Sequence, residues 1–174
     1  MNSINYKKSA QKLETYKRLS FKEKVSLSKR KIRTALNTHN EPLVSSSFGK
    51  DSVTLIYLVK EVTDNFEVVF NKTGIQYKET IEFMRELEDE WDLELHIIEP
   101  DKTFWEIVDE YGYPKSSRNS KTGDKRVPKC CKFLKEDPMR DFIEENSFDL
   151  DFVGINSGKG SQSDTVVLEG EKEC

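Results

Sequence analysis

The chain is poor in the residues that staple or embed a protein. Its 174 residues hold three cysteines, two of them adjacent at Cys130 and Cys131. An odd count with such spacing makes a poor disulfide framework and points to reactive thiols or metal ligands in a reducing compartment. Long apolar runs are missing as well. The apolar stretches, such as Phe66 to Phe70 and Leu93 to Ile98, are strand-sized, which excludes a bilayer-spanning segment. The first residues alternate polar and basic, with no apolar stretch ahead of a small-residue cleavage site, so no secretory leader is expected and the expected compartment is the cytoplasm. The sequon Asn71-Lys72-Thr73 is then idle. No repeat of fixed period and no low-complexity linker breaks the chain, and its length suits one domain. The two histidines carry little: His96 falls in a strand pattern as a packed residue, and His39 sits at a helix end where histidine is ordinary. Trp91 and Trp105 fall on helices and are expected in the core.

What is present is charge, unevenly placed. The net charge is −4, yet residues 1–38 carry 11 Lys or Arg against Glu14 and Glu23, a local +9 that leaves −13 for the rest. A second basic cluster runs through Lys115, Arg118, Lys121, Lys125, Arg126, Lys129, Lys132 and Lys135, interrupted by Asp124. Basic charge concentrated in two segments suits an anionic partner; its plain alternative is a solubilising surface. The second cluster flanks the cysteines, which favours function there.

Ser20-Phe21-Lys22-Glu23 has the spacing of a capping box, and Phe21, Val25, Ser28, Ile32, Ala35 and Leu36 follow on one helical face. Leu13, Tyr16 and Leu19 suggest a shorter helix before it. Residues 1–38 are therefore expected to form a basic helical pair docked on the domain spanning residues 39–174. From Pro42 onward strands alternate with helices: strand Leu43-Val44-Ser45, a helix through Val62, strand Phe66 to Phe70, a helix from Lys78 to about Trp91, strand Leu93 to Ile98, and a helix from Thr103 to Tyr111. After the basic loop, Pro128 opens a helix at Cys130, Pro138 interrupts it, and the pattern resumes to Glu145 before strand Phe152-Val153-Gly154-Ile155. The alternation predicts a three-layer α/β/α fold with a mainly parallel, Rossmann-like sheet, binding its ligand beyond the carboxyl ends of the strands. The segments to inspect are 45–52, 71–77, 99–102 and 156–164.

The first of these, Ser45-Ser46-Ser47-Phe48-Gly49-Lys50-Asp51-Ser52, lies between a strand and its helix, where backbone N–H groups and the positive helix end meet. Gly49 allows close backbone approach, the serines offer hydroxyls and Lys50 a point charge, a set suited to phosphate. Asp51 would repel a phosphate unless magnesium bridges the two or it serves the helix end. The loop is not a Walker A motif, and neither is Gly154-Ile155-Asn156-Ser157-Gly158-Lys159-Gly160, one residue short and without Ser or Thr after its lysine.

Ser47 to Ser52 resembles the pyrophosphate-binding loop of the adenine-nucleotide α-hydrolase-like (PP-loop, ATP pyrophosphatase) superfamily, closest to its phosphoadenosine phosphosulfate (PAPS) reductase branch. The similarity continues through Val69 to Thr80, Phe104 to Ile107, and Cys130 to Pro138. The resemblance implies that Ser47, Phe48, Gly49, Lys50, Asp51 and Ser52 cradle the phosphate or phosphosulfate end. Val44, Ser45 and the Asn71-to-Gly74 loop, with Thr73, would lie near the nucleoside, and Gly154 and Ile155 would close the pocket. Arg118, Lys125, Arg126 and Lys129 would hold a further anionic group.

The chain departs from that pattern in three places. After the fourth strand, where reductases carry an acidic, arginine-containing motif, it reads Asn156 to Asp164; Lys159 supplies charge without a bidentate fork, or the segment is a Gly/Ser linker. Its end, Glu171-Lys172-Glu173-Cys174, resembles the first half of the family's Glu-Cys-Gly-Leu-His element, which makes Cys174 the nucleophile candidate, although Glu169, Glu171 and Glu173 would raise its thiol pKa; a coincidental terminal cysteine is the plain alternative. Cys130 and Cys131 match a pair that helps ligate an iron–sulfur cluster in some members. The later Cys-x-x-Cys pair has no counterpart, so a complete four-cysteine cluster within one chain is not expected; the pair reads instead as lowered-pKa thiols for sulfur relay or metal binding.

Three functions fit. The first is a PAPS or adenosine phosphosulfate (APS) reductase using Cys174, with Lys50 and Asp51 at the reacting end and a thioredoxin-like reductant. The second is an ATP pyrophosphatase, with magnesium on Asp51, that activates an oxygen for sulfur transfer, on a nucleic acid gripped by the basic helices or elsewhere. The third is a nucleotide-binding homologue without chemistry, with an oligomer open in each case.

Overall fold

The computed structural model describes residues 15–114 and 129–154, and the backbone of 167–169. A helix α1 (Phe21–Leu36) leads to strand β1 (Pro42–Ser46), α2 (Lys50–Lys60), β2 (Glu67–Asn71), α3 (Lys78–Trp91), β3 (Leu95–Ile98) and α4 (Phe104–Tyr111). A helical stretch then runs through α5 (Lys129–Cys131), a π-helical segment (Lys132–Glu136) and α6 (Asp137–Asn146) to β4 (Leu150–Val153), with β5 (Val167–Glu169) last. Residues 15–18 are also helical.

The strands form one sheet in the order β3-β2-β1-β4-β5. Its first four are mutually parallel, and β5 joins β4 antiparallel. Parallel strands covered on both faces read as continuous apolar runs, and β1, whose Leu43 and Val44 have no exposed surface, holds the centre. Val44, Val68, Phe70, Leu150 and Phe152 face one way and pack with Ile32 of α1, Leu55, Ile56 and Val59 of α2, and Met84 and Leu87 of α3. The other face meets the helix of residues 129–146: the Asn71 amide donates to the Lys135 carbonyl at 3.2 Å, and His96 packs on Phe142 with ring centroids 5.2 Å apart. These are the three layers that the strand–helix alternation predicts.

Four features differ from the sequence expectations. Strand Leu93 to Ile98 begins only at Leu95, while the fourth strand begins earlier, at Leu150, and takes in Asp151. Pro138 does not interrupt its helix. Proline has no N–H for the turn below and crowds it, and the chain answers by widening: the Asp137 N–H bonds the Lys132 carbonyl, five residues back, so the proline enters a continuous helix through a π-turn. Phe21 is 81% exposed and Trp105 61% exposed, so neither belongs to the core, whereas Trp91 packs against it. A fifth strand, β5, adds an antiparallel edge that the sequence pattern does not announce.

Candidate functional site

The parallel strands end on one edge, and the loop from β1 into α2 occupies its middle. Ser46 ends β1, and its hydroxyl accepts the Phe48 N–H at 3.0 Å, drawing the loop into a tight turn. Phe48 takes a left-handed conformation, φ 51°, that a side chain adopts at a cost of roughly 1 kcal/mol or more. Its ring offsets this by burial, 4% exposed and edge-on to Phe70 at 5.6 Å. The Phe48 side chain is thus an anchor in the core, and what it gives the loop is shape.

Gly49 is the N-cap of α2, and no side chain caps this helix. The amino end of α3, behind Tyr77, likewise has no side-chain cap, whereas α1 and α4 differ. Each of those closes its own amino end with a capping box, Ser20 with Glu23 and Thr103 with Glu106. In α2 the first-turn N–H groups of Lys50, Asp51 and Ser52 face the strand edge without such a cover, where the helix dipole favours an anion. Ser47 is exposed beside them. Ser52 is buried, and its hydroxyl donates back to the Gly49 carbonyl at 3.1 Å, so it braces the turn. The Lys50 ammonium sits 3.0 Å from the Asp51 carboxylate with 83% of its side chain exposed, a pair held loosely enough to open toward an incoming anion.

Flanking strands close the edge. After β2, Thr73 is buried and Gly74 has φ 78°, a conformation for which glycine is suited. The Gln76 amide donates to the Asn71 carbonyl at 2.7 Å and folds this loop back on its strand. After β4, Gly154 lies so close to α2 that a Cβ there would sit 3.1 Å from Asp51 and Ser52 backbone atoms. Gly154 therefore lets the fourth strand approach the first turn of α2.

Asp151 is a site residue that the sequence reading passed over. It is 7% exposed, beneath the end of β1, and its carboxylate accepts both the Ser45 hydroxyl at 2.8 Å and the Ser45 N–H at 3.1 Å. Burial pushes its carboxyl above the ordinary aspartate range, and the two Ser45 hydrogen bonds only partly oppose that. Ser45 is thereby committed to Asp151, with the Met139 sulfur 3.9 Å from its hydroxyl. An aspartate directly before Phe152-Val153 was the available signal.

Cys130 and Cys131 lie at the start of the helix that covers the opposite sheet face, both partly buried. The expectation of lowered thiol pKa values is not met at Cys131. Burial and the adjacent Cys130 push that thiol up, and Lys135 opposes them only in part. Lys129 sits over the Tyr111 ring at 5.2 Å, and Tyr111 stacks on Phe133. Arg118, Lys125, Arg126, Ile155, residues 156–164 and Cys174 lie outside the described residues. No helix among the described residues is long and apolar enough to cross a membrane.

The sequence profile of the phosphoadenosine phosphosulfate reductase domain matches residues 41–164. An uncharacterized protein of Methanocaldococcus jannaschii is 37% identical over 116 residues, which is 65% of this chain and 22% of that protein. The phosphoadenosine 5′-phosphosulfate reductase of Aliivibrio fischeri is 28% identical over 148 residues, covering 84% of this chain and 56% of that enzyme. The chain thus spans between about a fifth and somewhat over half of these relatives' lengths. Among solved structures, the phosphoadenylyl-sulfate reductase of Candida auris, a phosphate complex, superposes with a TM-score of 0.57 at 15% identity, over 86% of this chain and 77% of that one. At that identity the likeness is one of fold.

Proposed function

Because this chain belongs to the phosphoadenosine phosphosulfate reductase domain family, we propose that it binds an adenine sulfonucleotide at the carboxyl edge of its sheet and reduces the sulfonate to sulfite. The observation that carries the reading is the uncapped amino end of α2, framed by Ser47, Gly49 and Lys50 at the end of the central strand. That arrangement offers backbone N–H groups, a hydroxyl and a swinging ammonium to an anion, and Gly154 and Thr73 bound the space on either side.

In this reading the nucleoside rests between the ends of β1 and β2, near Ser45 and the Thr73-Gly74 turn. The phosphosulfate end lies on Gly49, Lys50 and Ser52, and the basic residues Arg118, Lys125, Arg126 and Lys129 take a remaining phosphate. The Cys174 thiolate attacks the sulfonate sulfur. A sulfur–sulfur bond forms as the bond from that sulfur to the phosphate oxygen breaks, and the nucleotide leaves with the electron pair. A dithiol of thioredoxin type then attacks the Cys174 sulfur, releases sulfite and, through its second thiol, becomes a disulfide, supplying the two electrons. Lys50 contributes by holding charge that grows on the departing phosphate.

The test is sulfite release from PAPS and from APS by the full chain with a reduced thioredoxin. The expected result is stoichiometric sulfite and nucleotide, abolished in Cys174→Ser while nucleotide binding persists. Release of pyrophosphate from ATP, strictly dependent on magnesium and without sulfite from either sulfonucleotide, would instead assign Asp51 to a metal and the chain to adenylation chemistry. Binding without any turnover would leave a nucleotide-binding protein.

A further inference from the structure

At the other end of the sheet, away from the nucleotide edge, three ligand-bearing side chains converge. Glu67 opens β2, His96 is the second residue of β3, and Glu94 directly precedes that strand. The parallel register pairs Val68 with Leu95 and Val69 with His96, and the Val68 N–H donates to the Glu94 carbonyl at 2.8 Å. Residues 67 and 69 of β2 share a face, as do 94 and 96 beside them, so both carboxylates and the imidazole project to one side. One donor atom from each of Glu67, Glu94 and His96 lies within 4.8 Å of the others. The His96 Nε2 contacts the Glu67 carboxylate, and its ring is held against Phe142 at 5.2 Å and Phe148 at 6.4 Å.

Glu61, Glu99 and Glu110 each meet a lysine, whereas Glu67 and Glu94 pair with no lysine or arginine among the described residues. Two carboxylates this close repel unless a cation joins them. We propose that Glu67, Glu94 and His96 bind a divalent transition-metal ion of the zinc class, at a site separate from the nucleotide loop. One imidazole nitrogen with two carboxylate oxygens suits zinc, cobalt or manganese; calcium asks for six or more oxygens. Tetrahedral ligands at bond lengths of about 2.1 Å stand about 3.4 Å apart, so the His96–Glu67 contact must open to admit the ion while the wider separation to Glu94 closes. Glu94, exposed at the strand's start, is the arm free to do so. The cation replaces the direct contact of His96 with Glu67, and a water completes its shell. Its effect is to tie the edge strand β3 to β2 at their amino ends.

Cobalt titration of the tag-free full chain tests this, read by visible ligand-field absorption. One cobalt ion per chain is expected, without the near-ultraviolet charge-transfer band that thiolate ligands produce. The spectrum should persist in the triple variant Cys130→Ser, Cys131→Ser, Cys174→Ser. Affinity should fall at least tenfold in Glu94→Gln and in His96→Gln. Glu94 is exposed, so its variant is expected to keep the wild-type circular dichroism and its nucleotide affinity. A spectrum lost in the triple serine variant, unchanged in Glu94→Gln and His96→Gln, or absent at millimolar cobalt overturns the proposal.

Discussion

Asp151 and Gly154 sit three positions apart at the end of one strand and shape the carboxyl edge of the sheet in different ways. Asp151 holds Ser45 through two hydrogen bonds while buried. Its carboxyl is raised above the ordinary value of about 3.9, so the folded chain keeps this proton more tightly than the unfolded chain. Stability contributed by the group is therefore lost as pH rises from that ordinary value through the raised native one, and the penalty is complete above it. Asparagine of the same shape still accepts the Ser45 N–H and can donate to the Ser45 oxygen, and it carries no charge to bury. Asp151→Asn should gain stability relative to the wild type as pH rises from about 4 to neutrality, measured as urea midpoints across that range. A difference independent of pH would contradict the assignment. At Gly154, a methyl group would meet backbone atoms of Asp51 and Ser52 at 3.1 Å, and neither neighbour is a flexible side-chain end. Gly154→Ala should cost about 1–3 kcal/mol in urea unfolding and weaken nucleotide binding as α2 is displaced.

At the scale of elements, α1 and α4 close their amino ends with capping boxes, α2 and α3 carry no side-chain cap, and α2 is the one whose open end follows the central strand. Removing the cap of α4 should act on stability alone: Thr103→Ala deletes the hydroxyl that accepts the Glu106 N–H and should cost about 1 kcal/mol, seen in thermal or urea unfolding with nucleotide affinity unchanged. The elements most legible in the sequence were those written in contiguous residues. The capping box at Ser20 and Glu23, the span of α3 and the turn from β1 into α2 each depend on spacing over a few positions, and each appears as the pattern implies. What stayed hidden depends on partners far along the chain. Asp151 finds Ser45 across 106 positions, and nothing local to Leu150-Asp151 states that the carboxylate is buried. Pro138 carries a local rule against helix interiors, yet a π-turn just ahead of it absorbs the missing N–H. Phe21 and Trp105 follow helical periodicity onto faces left exposed among the described residues, because period gives a stripe without saying what it meets. The chemistry of the β1–α2 loop was legible for the same reason as the capping boxes, since glycine, hydroxyls and lysine stand side by side there.

At the scale of the whole molecule, the parallel sheet gives the protein two unlike ends. The carboxyl edge gathers the open end of α2, the Gly74 turn and Gly154, while the amino ends of β2 and β3 gather Glu67, Glu94 and His96. Parallel strands make this polarity unavoidable, because every helix that follows a strand starts at the same edge. The two ends need not act on each other, since a ligand at the α2 end touches none of the residues at the other. Calorimetric titration is the sharpest probe of the carboxyl edge as the proposed adenine sulfonucleotide site. The full chain is titrated with PAPS, 3′,5′-adenosine bisphosphate and magnesium ATP, in the wild type and in Lys50→Ala. Saturable binding is expected, with preference for PAPS and the bisphosphate nucleotide, weakened roughly ten- to a hundredfold in the variant, as follows from losing a charged hydrogen bond. Preference for magnesium ATP, or affinity for the bisphosphate nucleotide that is the same with and without the Lys50 ammonium, would contradict it.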